Sequence, residues 1–229
     1  MTQDLKSIRK AFERVSPELA AKAARYGSSL IADVAGRRGA LNGRIQGLAK
    51  SMKFAGPAFT VEVRPGDNLM IHAALAQAQP GDVIVVDGAG YLGAALTGFL
   101  MVSQARAAGL AAFVVDGAVR DVEETCANGF PVFAAGTNPN GPTKAIGGKV
   151  NWPISVGSVA VNPGDLIIGD ADGVVAVPRE KAEEVVAAVQ AKLDFEQQFL
   201  KDLSEGTVKN GWVSDALRAA GALGAGETL

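Results

Sequence analysis

Arg120 and Asp121 stand side by side just after the apolar run Phe113-Val114-Val115 and the pair Asp116-Gly117, with Glu123 and Glu124 close behind. A run of this kind reads as a buried strand, and in open α/β sheets function collects at the carboxyl ends of strands. An arginine placed there can clamp a carboxylate through two parallel hydrogen bonds. A neighbouring aspartate can hold Mg²⁺, which typically takes only one or two protein carboxylates and keeps several waters. Segment 114–124 is therefore expected to centre a site for a divalent metal and a small anion. The plainer alternative, Asp121 capping a helix with Arg120 in a surface ion pair, stays open on these residues alone.

Gly88-Ala89-Gly90-Tyr91-Leu92-Gly93 follows an expected strand and is expected to open a helix, the context a dinucleotide fingerprint requires. Its mid-chain position and the late arrival of the next strand-end acid, Asp116, count against a nucleotide. A loop that offers backbone N–H groups to a smaller anion is the preferred reading, with a plain turn as the alternative. His72, between Ile71 and Ala73, reads as a core or supporting side chain, and Cys126 as a small buried hydrophobe. Lys144 and Lys149 lack the apolar strand that would depress the pKa of a Schiff-base lysine. Asp170-Ala171-Asp172-Gly173 reads as a hairpin turn rather than a metal loop. Arg37, Arg38 and Arg44 read as a solvated basic cluster beside Asp33.

Composition narrows the chemistry. One histidine and one cysteine in 229 residues leave no multi-histidine zinc or iron centre and no internal disulfide, so a metal would have oxygen ligands. A formal net charge of -2 argues against nucleic acid or an anionic membrane as partner. No apolar run approaches the roughly 20 residues of a membrane span, and Met1–Lys6 is too polar for a secretory signal, so a cytoplasmic protein is expected.

These residues need elements to hold them. Residues 4–25 read as helix, broken near Ser16-Pro17; 28–35 as a short helix stopped by Gly36; and 37–53 as a loop with a short strand. Strands are expected at 57–63, 83–87, 111–116 and 131–134. Helices are expected at about 68–78, from the glycine loop to Ala108, and at 121–128. From Ile154 the pattern is β only: 154–161, 166–169 and 173–177, then a long helix over about 179–203. Three Pro-Gly-Asp turns, at 65–67, 80–82 and 163–165, read as turn chemistry. Strand–helix alternation gives an α/β core, and the late short strands suggest a sheet that curls or packs on a second one. One domain spanning 1–229 is expected, with a helical N-terminal arm and a C-terminal helix.

Gly117-Ala118-Val119-Arg120-Asp121, followed by Gly129-Phe130-Pro131-Val132-Phe133, resembles the RraA-like superfamily. So do Pro65-Gly66-Asp67-Asn68 with His72, Pro80-Gly81-Asp82, and Asn162-Pro163-Gly164-Asp165 leading to Asp170-Ala171-Asp172-Gly173-Val174. The likeness covers roughly residues 25–205. That superfamily contains class II pyruvate aldolases that cleave 4-hydroxy-4-methyl-2-oxoglutarate and 4-carboxy-4-hydroxy-2-oxoadipate and that decarboxylate oxaloacetate. It also contains the regulator of ribonuclease activity A, which inhibits ribonuclease E by binding it. The resemblance implies a swivelling β/β/α domain and a homotrimer, or a hexamer built as a dimer of trimers, with sites between subunits. It implies Mg²⁺ or Mn²⁺ on Asp121, and Arg120 on the keto oxygen of a small 2-oxo acid, stabilising its enolate. Asp33 and Glu196 would arrive from a neighbouring subunit to hold metal-bound waters, and amides around Gly93 and at Leu100-Met101 would meet the substrate carboxylate. The chain departs from the aldolases at Phe99, where they carry an acid. A phenyl ring neither accepts a proton nor orders a water, which argues against a relay to the leaving carbinol but leaves decarboxylation possible. An RraA-type binding protein without the reaction is the competing expectation.

Overall fold

Successive residues of the apolar runs face opposite ways, and both ways are buried. Phe59, Val61, Ile84, Val86, Phe113 and Val115 enter one core; Ala58, Val83, Val85, Ala112 and Val114 enter another. Burial on both sides is what a covered parallel sheet requires. The computed structural model describes residues 7–208, 210–224, 226 and 227. Its strands are β1 (Gln46–Gly47), β2 (Phe54–Glu62), β3 (Val83–Thr97), β4 (Ala112–Val119), β5 (Val132–Thr137), β6 (Lys149–Val150), β7 (Ile154–Val156), β8 (Val159–Val161), β9 (Leu166–Asp170) and β10 (Gly173–Val177). Its helices are α1 (Pro17–Ala23), α2 (Ser28–Val34), α3 (Leu69–Leu75), α4 (Phe99–Ala107), α5 (Val122–Asn128), α6 (Arg179–Glu205) and α7 (Gly211–Ala219).

The main sheet runs β1-β5-β4-β3-β2-β9-β10, with β6 also on β2. Strands β2 to β5 are mutually parallel, and the additions at either side pair antiparallel. One face is covered by α3 and α4 through Ile71, Ala74, Leu75, Val102 and Ala105. Ile154, Val156 and Val161 of the separate β7–β8 hairpin cover the other. The chain is thus the mixed α/β fold its sequence pattern led us to expect. Each fully buried large side chain, such as Phe113 or Ile84, contributes roughly 1.5–3 kcal/mol through burial. Two compact units are formed, Met1–Val189 and Gln190–Leu229. In the second, α7 follows the end of α6, and Phe195 and Phe199 stack with ring centroids 6.5 Å apart.

Three expectations need correction, and one element is additional to them. Residues 7–16 are an extended arm, not a helix, because other partners claim them; residues 4–6 lie outside the described set. Val150 N–H donates to Ser7 O, Arg9 N–H donates to Val150 O, and the Arg14 guanidinium grips the buried Asp82 at 2.7 and 3.0 Å. The glycine segment 88–93 opens no helix: β3 continues through it to Thr97, with register shifts against β4. A Cβ on Gly88 would lie 2.7 Å from Asp116 O, so the glycine serves close strand approach rather than phosphate binding. Arg44 is not merely solvated, since it binds the buried Asp116 at 2.8–3.2 Å. The C-terminal tail carries α7, which was not anticipated.

Candidate active site

β4 buries all eight of its residues and delivers Arg120-Asp121 to its carboxyl end. Asp121 adopts a left-handed conformation (φ 57°, ψ 49°) just before α5, at a cost of roughly 1 kcal/mol that aspartate and asparagine bear better than most residues. This turns its carboxylate back towards α4, where Oδ2 accepts the N–H of Phe99 at 3.0 Å. Arg120 Nε lies 3.6 Å from the same oxygen, and the Arg120 backbone N–H donates to Thr97 O. A Cβ on Gly98 would sit 2.5 Å from Asp121 Oδ2 and 2.9 Å from Arg120 Cγ, so only glycine lets the end of β3 pass this close.

The pair opens into a cleft of about 170 Å³. Thr97 and Gly98 form its floor, Leu100 and Met101 the N-terminal turn of α4, Asn68 and His72 the α3 side, and Pro142 and Lys144 the loop between β5 and β6. Three buried polar atoms on these walls have no hydrogen-bond partner: Asn68 Oδ1, His72 Nε2 and Thr97 Oγ1. Buried polar atoms are normally paired, so three along one cleft point to a polar ligand there. Burial, reinforced by the positive charge of Lys144, pushes the His72 imidazole below its ordinary pKa, which favours the neutral form at neutral pH. Lys144 and Arg120 make the cleft cationic opposite the single carboxylate of Asp121.

The loop bearing Lys144 is fastened from beneath. Asp67 is buried, and its carboxylate accepts from Leu69 N–H (3.0 Å), Thr143 Oγ1–H (2.6 Å), Ala145 N–H (2.8 Å) and Ile146 N–H (3.1 Å). Burial alone would raise its pKa, but these donors outweigh it and hold the group at about 2.

The structure brings together four of the expected site residues: Arg120, Asp121, Leu100 and Met101. Asp33 is exposed on α2 and does not line this cleft. Gly93 lies exposed in β3, also outside the lining, and its carbonyl accepts from Asn140 Nδ2. Glu196 belongs to the second unit, where it pairs with Lys192 at 3.7 Å. Phe99 is half-buried at the first residue of α4; it serves Asp121 through its backbone N–H. Sequence reasoning missed Thr97, Gly98, Pro142 and Lys144 as cleft residues. Only the Asp67-Asn68 pair and the lone His72 hinted at that wall.

A sequence model of the RraA-like family, described as Aldolase/RraA, matches residues 24–176, well over half of the chain. The chain belongs to this family. A protein of Halalkalibacterium halodurans, provisionally named a 4-hydroxy-4-methyl-2-oxoglutarate aldolase, is 43% identical over 152 residues, covering 66% of this chain and 72% of its own. The crystal structure of Streptomyces coelicolor RraAS2, described as an unusual member of the RNase ES inhibitor RraA family, is 31% identical. It superposes with a TM-score of 0.75 over 82% of this chain and 98% of its own. The RNA-processing inhibitor RraA from Thermus thermophilis is likewise 31% identical, with a TM-score of 0.62 over 67% and 93%. RraA-like relatives thus bear both an aldolase name and inhibitor names.

Proposed function

We propose that this chain is a divalent-metal-dependent carbon–carbon lyase acting on small 2-oxo acids, as a pyruvate-forming aldolase, an oxaloacetate decarboxylase or both. The observation that carries this reading is the Arg120–Asp121 pair, held against the N-terminus of α4 in a cleft with unpartnered polar atoms. The donor set suits a hard cation with retained waters. One carboxylate, 38% exposed, faces the cleft, and among the described residues no three His, Cys, Asp or Glu side chains gather to enclose a metal. Mg²⁺ or Mn²⁺ on Asp121 fits, and it would supply Lewis-acid polarisation of a 2-oxo acid.

The chain's own groups do the rest. The guanidinium of Arg120 neutralises charge that develops on the keto oxygen. Amides at Leu100 and Met101, on the positive end of α4, receive the substrate carboxylate. Lys144 adds a second cation on the facing wall. Asp33 and Glu196 are proposed to act from a neighbouring subunit of a homotrimer or hexamer, which accounts for a one-carboxylate cleft within one chain. Phe99 supplies no proton acceptor, so decarboxylation, which needs no base on a carbinol, is expected to exceed aldol cleavage.

Pyruvate release from oxaloacetate and from 4-hydroxy-4-methyl-2-oxoglutarate, with Mg²⁺ and with chelator, tests this. Metal-dependent turnover is expected on oxaloacetate at least. Asp121→Asn, which keeps the left-handed turn and an acceptor for Phe99 N–H, should lower it at least about a hundredfold. Absence of turnover on both substrates would instead favour an RraA-type binding protein, the reading that Phe99 supports.

A further inference from the structure

We propose that Asp67, which does not line the cleft, is a positioning residue that sets the cleft's affinity for its anionic substrate by fixing Lys144 on the cleft wall. The anion in question rests on the reading above; the placement of Lys144 by Asp67 does not. Residues 143–147 are exposed, so little packing holds this part of the loop down. What holds residues 143–146, among the described residues, is hydrogen bonding to Gly66–Asn68. Thr143 N–H donates to Gly66 O at 2.8 Å, Asn68 N–H donates to Thr143 O at 3.0 Å, and three more donors converge on the Asp67 carboxylate.

Two of those donors, the N–H groups of Ala145 and Ile146, immediately follow Lys144, and the third is the hydroxyl of Thr143 just before it. A carboxylate can accept all of them together with Leu69 N–H. An asparagine offers one acceptor oxygen and two donors, so it must leave amides unpaired or turn an N–H on an N–H. The latch is thus specific to the charged form, and its release lets residues 143–146 lift Lys144 away from Arg120. A plain structural staple would weaken the whole fold but would not act through one lysine.

His72 makes the difference measurable, because it is the only histidine and its imidazole resonance is unique. The charged groups sharing its cleft are Lys144 on the loop and Arg120 and Asp121 at the end of β4. Lys144→Ala should raise the His72 titration midpoint towards the ordinary histidine range. Asp67→Asn should raise it in the same direction, and the double variant should move it no further than Lys144→Ala alone. With oxalate as the anion probe, followed at the same resonance in the presence of Mg²⁺, Asp67→Asn should weaken binding about tenfold, and not at all in a Lys144→Ala background. For oxaloacetate turnover the same loss should fall on KM, with kcat changed less than about threefold.

Thr143→Val removes one donor and serves as the milder variant should Asp67→Asn fold poorly; it should shift His72 the same way by less. An unchanged His72 midpoint in both variants, additivity in the double variant, or a loss in kcat at constant KM would overturn the proposal. Failure of wild-type turnover sinks the lyase reading, yet leaves the histidine titration to decide the placement of Lys144.

Discussion

Pro65-Gly66-Asp67 and Pro163-Gly164-Asp165 make the same turn, with glycine φ values of 77° and 85° and a buried aspartate in each. Their carboxyls nevertheless move in opposite directions. Burial acts to raise both. At Asp67 four donors overcome it and hold the group at about 2. At Asp165 burial wins: the backbone N–H groups of Asn162 and Arg179 and the Asn162 side chain do not offset it, the negative charge of Glu180 adds to the rise, and the pKa goes up. The middle turn, Pro80-Gly81-Asp82, shows a third solution, in which the carboxylate takes Gln79 N–H and the guanidinium of Arg14. A shared motif therefore fixes the turn and the buried carboxyl, while the segment that each aspartate grips decides its energetics. Asp67 grips the cleft loop, Asp82 the N-terminal arm and Asp165 the start of α6.

The contrast can be broken most forcefully at Asp82. Asp82→Ala strands a mostly buried guanidinium, and urea unfolding should show a loss of about 3 kcal/mol. Asp67 comes next. Its folded pKa is lowered from 3.8 to about 2, so its stabilisation is present above roughly pH 4 and disappears as pH falls towards 2. A shift of that size corresponds to about 2 kcal/mol, so Asp67→Asn should cost that much at pH 7, and the gap from wild type should narrow below about pH 3. Asp165 should give the smallest effect. A raised carboxyl favours the fold at acid pH, below the ordinary carboxylate range, and loses that advantage as pH rises through its folded value. Asp165→Asn should therefore leave stability at pH 7 unchanged or slightly higher. If it costs as much as Asp67→Asn, the donor-count explanation of the contrast fails.

The same distinction explains what was legible in the sequence. The buried parallel strands announced themselves because β-branched runs such as Val83–Val86 need no partner's identity to be read. Arg120-Asp121 was legible because it closes such a run. Lys144 was not, since its place depends on an aspartate 77 residues earlier whose acceptors face a loop without pattern. The arm at residues 7–16 misled for a similar reason: its helical composition is overruled by the edge of β6 and by Asp82, neither of which is near in sequence. Glycines 88 to 93 misled because close packing of β3 on β4 and a phosphate cradle ask for the same residue.

Asp121 stands at a backbone position where the tolerated residues are few, and one of them is asparagine. Exchanging the acid for its amide keeps the turn, the cap on α4 and the hydrogen-bond count, so folding does not resist it. On the proposed function, with Asp121 holding the metal, activity can be lost by a substitution that stability selection does not see. A lineage can thus pass from enzyme to folded binding protein without crossing an unstable intermediate.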